Sequence, residues 1–131
     1  MGEEVIVDIK RKICNILFRG EIPLEVMLYS VLANCRKQCK LSMPVKAKIY
    51  YEPSCIACRK LFIYVMNTDN LEVEAIPVST EEGKKRVLEL VGEIVTPIME
   101  FENGTFMRGC PIKYEDFIKC VEMKIQNLNS T

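Results

Sequence analysis

Apolar positions change rhythm once along this chain, near residue 45. Before it, Val5, Ile6, Ile9, Ile13, Ile16 and Leu17 recur at helical spacing, with Lys10, Arg11 and Lys12 filling the other face. Gly20 breaks that run. Pro23 suits the first turn of a second helix, whose apolar set includes Val26, Met27, Tyr29, Ser30, Ala33 and Leu41, and Met43-Pro44 ends it. The pattern predicts a helical hairpin over residues 1–44, set before a second unit over residues 45–131.

From Val45 the period shortens to two. Val45, Ala47, Ile49 and Tyr51 share one face of a strand. Cys55 then opens a helix with Cys58, Leu61, Phe62, Val65 and Met66 as its inward stripe. Thr68-Asp69-Asn70 reads as a turn before a second strand over 71–78, and Pro77 places that strand at a sheet edge. Ser79-Thr80-Glu81-Glu82 reads as a capping box with Ser79 at the cap, and Gly92 as the stop of the helix it starts. Two short strands, 97–102 and 105–109, are joined by Asn103-Gly104, a hairpin signal because both central residues must accept positive φ. A last helix carries Tyr114, Phe117, Ile118, Val121 and Ile125 inward. The order is α-α, then β-α-β-α-β-β-α: an α/β fold with a four-stranded mixed sheet. Lys46 and Lys48 are at odds with it, since they share one face of a strand that this order puts in the sheet centre.

Composition narrows the chemistry. The 131 residues are 49% hydrophobic and 27% charged, enough for a packed core. Eighteen basic and eighteen acidic residues cancel without long runs, which argues against a nucleic acid partner. No apolar run approaches the ~20 residues that span a bilayer, and the acids near the N-terminus do not suit a secretory signal. A soluble cytoplasmic protein is expected. Histidine is absent, so Ser-His and Cys-His nucleophiles and imidazole metal sites are excluded. The seven cysteines are odd in number and irregularly spaced, favouring a metal site or redox chemistry over a disulfide framework, with hyperthermophile proteins the standing exception.

Cys55 and Cys58 are the leading candidates. Cys55 falls where a strand has ended and a helix begins, so unpaired amides and the positive dipole end favour a thiolate there. Cys58 lies one turn deeper, and Arg59 and Lys60 add positive potential. That arrangement suits an exposed nucleophile at Cys55 and a recessed resolving thiol at Cys58.

From Val45 to Gln126 the sequence resembles the thioredoxin-like superfamily, in particular small glutaredoxins and thioredoxins. Cys55-Ile56-Ala57-Cys58 after the first strand, the short crossover, the stretch VTPIMEFENGTFMRG at 95–109 and the final helix carry the resemblance. It implies a three-layer thioredoxin-like fold and thiol–disulfide oxidoreductase activity. It also implies a cis-proline at Pro97 facing the two cysteines, with the Thr96 backbone binding substrate like an added strand. The substrate would be a disulfide-containing protein or a small-thiol disulfide, and a reductase or small thiol would donate electrons. No metal or organic cofactor is needed. The sequence departs from the family at Glu52, where glutaredoxins carry a basic residue, at Ser54 for the thioredoxin tryptophan, and at Ile49 for its buried aspartate.

The rival reading is a zinc-stabilised binding module. Cys35-x3-Cys39 and Cys55-x2-Cys58, fifteen residues apart, approach a four-cysteine pattern, although Cys35 and Cys39 fall within an expected helix. Cys14 and Cys120 lie beside apolar stripes and read as core thiols. Cys110 follows Gly109 at a place that would adjoin the active site of a thioredoxin-like fold, where a regulatory thiol can sit. The N-terminal helices would either pack over the sheet or offer a surface for a homodimer or another partner.

Overall fold

The alternation of strands and helices after residue 45 is what the chain forms, and the sheet is wider than it predicts. A computed structural model describes residues 12–20, 22–33 and 37–126. Among them, six strands make one mixed sheet: β1 (Lys12–Ile13), β2 (Ile16–Phe18), β3 (Cys39–Tyr51), β4 (Thr68–Pro77), β5 (Ile98–Phe101) and β6 (Phe106–Arg108). Four helices are interleaved: α1 (Leu24–Ala33), α2 (Ile56–Met66), α3 (Glu81–Val91) and α4 (Tyr114–Gln126). The spatial order is β1-β2-β4-β3-β5-β6. Strands β2, β4 and β3 run parallel, while β1, β5 and β6 are antiparallel to their neighbours.

Six strands replace the expected four because residues 12–13 and 16–18 are extended and pair as a hairpin. Val5, Ile6 and Ile9 of the expected first helix lie outside the described residues, but Ile13, Ile16 and Leu17 are in strands, so over the described residues the helical hairpin is corrected to a β-hairpin followed by α1. Three apolar residues at helical spacing also fit a tight reversal, and β-branched Ile13 and Ile16 suit strands. Cys14 turns the chain at φ 53. Buried Asn15 anchors it, its Nδ2 donating to the carbonyls of Val65 (2.7 Å), Thr68 (3.1 Å) and Leu71 (2.5 Å). Cys14, expected as a core thiol, is disulfide-bonded.

Leu41, Met43 and Pro44 lie inside β3 rather than ending a helix. The register between β3 and β4 shifts between Lys40 and Val45, which accommodates a proline without an amide proton. Opposite it, Thr68 and Asp69 are paired rather than turning, and Asn70 takes up the irregularity at φ 66 while its Nδ2 donates to Leu41 O (3.0 Å). Pro77 closes β4, an interior strand, so its missing amide is excused by the strand's end and not by a sheet edge.

One face of the sheet carries most of the core. Leu61, Phe62, Val65 and Met66 of α2 and Phe117, Val121 and Ile125 of α4 pack on Phe18, Ala47, Ile49, Tyr51, Val73 and Met99. The rings of Phe18, Tyr51 and Phe62 meet edge to face at 5.1–6.0 Å. The other face carries α3 and a smaller cluster of Tyr50, Ile76, Val78, Val87 and Ile98. Thr80, not Ser79, caps α3, its Oγ1 accepting from Gly83 N at 3.1 Å. A Cβ at Gly83 would come 2.3 Å from Pro77 O, so only glycine lets α3 start this close to the sheet. Gly92 stops the helix at φ 80 as expected.

Helix α3 is short, and the rest of its face stays wet. Lys46 and Lys48 point there, opposite Glu72 and Glu74 on β4, and Lys48 is also opposite Glu100 on β5. Alternating charges across three strands make that central surface compatible with water. They floor an open groove of about 1040 Å³ whose wall is α3. The β5–β6 reversal also differs in detail. Gly104 alone has positive φ, Gly104 N donates to Phe101 O (3.0 Å) and Asn103 Oδ1 accepts from Thr105 N (3.0 Å), giving a longer loop than a two-residue turn.

Candidate functional site

Strand β3 delivers the chain to the site through buried Tyr50 and Tyr51, and Glu52, Pro53 and Ser54 turn it into α2. Cys55 is the N-cap of α2. Its amide donates to Glu52 O (3.0 Å), and its Sγ accepts from Cys58 N at 3.1 Å, so the sulfur replaces a capping oxygen and receives one of the helix's unpaired donors. Cys55 is half-buried, whereas Cys58, one turn deeper, is 0% exposed. Both are free thiols.

The Thr96–Pro97 peptide is cis, and Thr96 O lies 3.8 Å from Cys55 Sγ. Pro97 is buried and leads directly into β5. The next carbonyl, Pro97 O, accepts from Gly109 N (2.9 Å), which ties the end of β6 to the same corner. The four residues singled out from sequence, Cys55, Cys58, Thr96 and Pro97, therefore meet at one corner, at the carboxyl end of β3.

Electrostatics divide the two sulfurs. Burial pushes the Cys58 thiol up to about 12, and its contact with the Cys55 sulfur adds to this. Cys110 is pushed up to about 11, first by burial, with the Cys55 charge raising it and the Lys60 ammonium opposing. Tyr51 is raised to about 12 by burial and by the facing Cys58. Arg59 reaches across the helix start, its Nη2 3.4 Å from both Glu25 Oε1 and Pro53 O, so α1 is fastened beside the site. Glu25 and Tyr51 carry no sequence signal as neighbours of the cysteines. Glu25 is 34 residues from Arg59, and Tyr51 reads only as the last apolar residue of a strand.

The four-cysteine zinc arrangement does not survive the fold. Cys35 lies outside the described residues. Cys39 opens β3 rather than sitting in a helix, and Cys55 lies beyond that strand's far end. Thirteen residues at ~3.3 Å each separate the two by tens of ångströms, against Zn–S bonds of ~2.3 Å. Cys39 instead adjoins Tyr114, whose hydroxyl donates to Asn67 O (2.9 Å). Among the described residues no group of three or more Cys, Asp or Glu side chains could hold a metal ion.

No protein-family model matches the sequence, and no curated protein matches it. Among solved structures it is similar to the NTD_N/C domain of the alkylhydroperoxide reductase AhpF from Enterococcus faecalis. The match has a TM-score of 0.57 at 15% identity and covers 82% of this chain and 58% of that one. That domain is thioredoxin-like. The fold is thioredoxin-like. The reduced C-terminal domain of Neisseria meningitidis DsbD also aligns, at TM-score 0.46 and 16% identity, over 82% of this chain and 98% of that one. The thioredoxin-like chain thus spans little more than half the length of the AhpF structure, and its corner of cysteines and cis-proline has to be read from its own residues. Among the described residues no helix is long and apolar enough to cross a membrane.

Proposed function

We propose that the protein is a thiol–disulfide oxidoreductase in which Cys55 is the nucleophile and Cys58 the resolving thiol. The observation that supports this best is the sulfur-capped helix: Cys58 N donates to a half-buried Cys55 Sγ (3.1 Å) while the Cys58 sulfur is out of reach of solvent. A thiolate at Cys55 gains the helix's positive end and a fixed N–H donor.

The Cys55 thiolate attacks one sulfur of a substrate disulfide, forming a mixed disulfide and releasing the other sulfur as a thiolate. Cys58 then gives up its proton, attacks the Cys55 sulfur and releases the second substrate thiolate, leaving Cys55–Cys58 oxidised. Two electrons pass to the substrate, and a reductase or small thiol restores the pair. Timing follows from charge. The Cys55 anion helps hold Cys58 protonated, and that hold is lost once the Cys55 sulfur is neutral in a disulfide. Thr96, beside the nucleophile and just ahead of β5, offers its backbone to an extended substrate segment, with Pro97 shaping the wall behind it. A disulfide-bearing protein or a small-thiol disulfide fits this corner.

The test is insulin reduction driven by dithiothreitol. Cys55→Ser is expected to abolish turnover with the fold intact by circular dichroism, and full activity in that variant would reject the assignment.

A further inference from the structure

We propose that Cys110 is a second resolving thiol for a disulfide formed at Cys55, making the site a three-thiol relay. The proposal rests on the reading of Cys55 as nucleophile. Two consecutive carbonyls set its geometry. Thr96 O contacts Cys55 Sγ at 3.8 Å, and Pro97 O accepts from Gly109 N at 2.9 Å. The strand end that carries Cys110 is therefore held against the segment that touches the nucleophile. Cys55 and Cys110 are both half-buried and pack on the same core cluster. The Cys110 thiol donates only a long contact to Pro111 O at 3.4 Å, while Cys58 is buried inside α2.

The charges around Cys110 favour its use after the first exchange step. Burial is the first cause that holds Cys110 protonated, the Lys60 ammonium works the other way, and a negative Cys55 adds to the burial. When Cys55 is drawn into a mixed disulfide its charge disappears, and one of the two causes that raise the Cys110 thiol goes with it, burial remaining and Lys60 still opposing. Cys110 then attacks the Cys55 sulfur, a Cys55–Cys110 bond forms, and the substrate leaves as a thiolate that takes up the proton Cys110 lost. If Cys55–Cys58 is already oxidised, the same attack moves the bond to Cys55–Cys110 and frees Cys58. Each step exchanges one disulfide for another and needs no outside oxidant.

The experiment uses the full chain as Cys58→Ser and as Cys58→Ser/Cys110→Ser. Both are treated with bis(2-hydroxyethyl) disulfide and followed by intact mass and peptide mapping. In Cys58→Ser the Cys55 adduct is expected to decay to a Cys55–Cys110 cross-link. In the double variant the adduct is expected to persist about tenfold longer or more. Equal adduct lifetimes, with no Cys55–Cys110 peptide, would overturn the role of Cys110 and leave the oxidoreductase reading standing. No adduct at Cys55 in either variant would overturn both. A Cys58→Ser/Cys110→Ala variant guards against a misfolded serine replacement and is expected to behave like the serine double variant.

Discussion

The two faces of this sheet alternate in the same way and are finished differently. On one, α2 and α4 bury an aromatic and aliphatic core. On the other, α3 buries Val87 over a small cluster and leaves Lys46, Lys48, Glu72 and Glu74 in an open groove. The proposed reactive corner belongs to the packed face, because the helix that Cys55 caps is held by Cys58, Leu61, Phe62 and Val65. A nucleophile at a helix start needs a helix that does not move. The charged face is finished by paired rungs instead, Lys46 opposite Glu72 and Lys48 opposite Glu74 and Glu100.

The sharpest way to break that contrast is to cut one anchor from each face. Phe62→Ala removes a ring packed edge-on against Phe18 and Tyr51 and is expected to cost about 3–5 kcal/mol. Val87→Ala, beneath α3, is expected to cost about 1–3 kcal/mol. Urea unfolding measures both, and a Val87 loss equal to that of Phe62 would show that the second face is as essential as the first.

The faces are also expected to fail at opposite ends of the pH scale. On the packed face Cys58 is raised from 9.0 to about 12 and Cys110 from 9.0 to about 11, chiefly by burial. The folded state keeps protons that the unfolded chain releases, so this stability is complete below about pH 9 and is lost as pH rises through 11–12. Cys58→Ala is expected to flatten the alkaline fall in melting temperature. On the charged face Glu100 is held below its ordinary 4.5, first by hydrogen bonds from Arg86 and then by Tyr50. That stability is present above pH 4.5 and is lost as pH falls further. Thermal melts across pH check both limbs, and an unchanged alkaline limb in Cys58→Ala would refute the first.

Legibility from sequence follows the same division. The stripe Cys58, Leu61, Phe62, Val65 and Met66 and the β-α-β order are readable because each rests on strong periodicity, whereas the cis-proline at Pro97 beside Cys55 is readable only through the resemblance to thioredoxin-like proteins. The N-terminal hairpin is not. Ile13, Ile16 and Leu17 fit a helix as well as two short strands, and what decides between them is Asn15, whose three carbonyl acceptors lie 50–56 residues away. The helix expected to reach residue 41 fails for a similar reason, since Leu41 lies in β3 and its carbonyl accepts from the Asn70 side chain, 29 residues away. Lys46 and Lys48 do signal a wet central strand, but the acids opposite them come from β4 and β5, which no local pattern links.

The smallest expected effects lie on that wet face and sharpen the comparison most finely. Glu100→Gln is expected to cost about 1 kcal/mol, because it weakens the paired bonds from Arg86 and the one from Tyr50 (3.0 Å) at a partly exposed site, and to flatten the acid limb of the melting profile. Lys48→Ala is expected to cost under about 0.5 kcal/mol, since its rungs with Glu74 and Glu100 are open to solvent and Glu100 keeps Arg86. Insulin reduction should be unchanged in both variants. A loss of activity in Lys48→Ala without a loss of stability would mean that the groove takes part in binding substrate, and the division between a reactive face and a merely solvated one would have to be withdrawn.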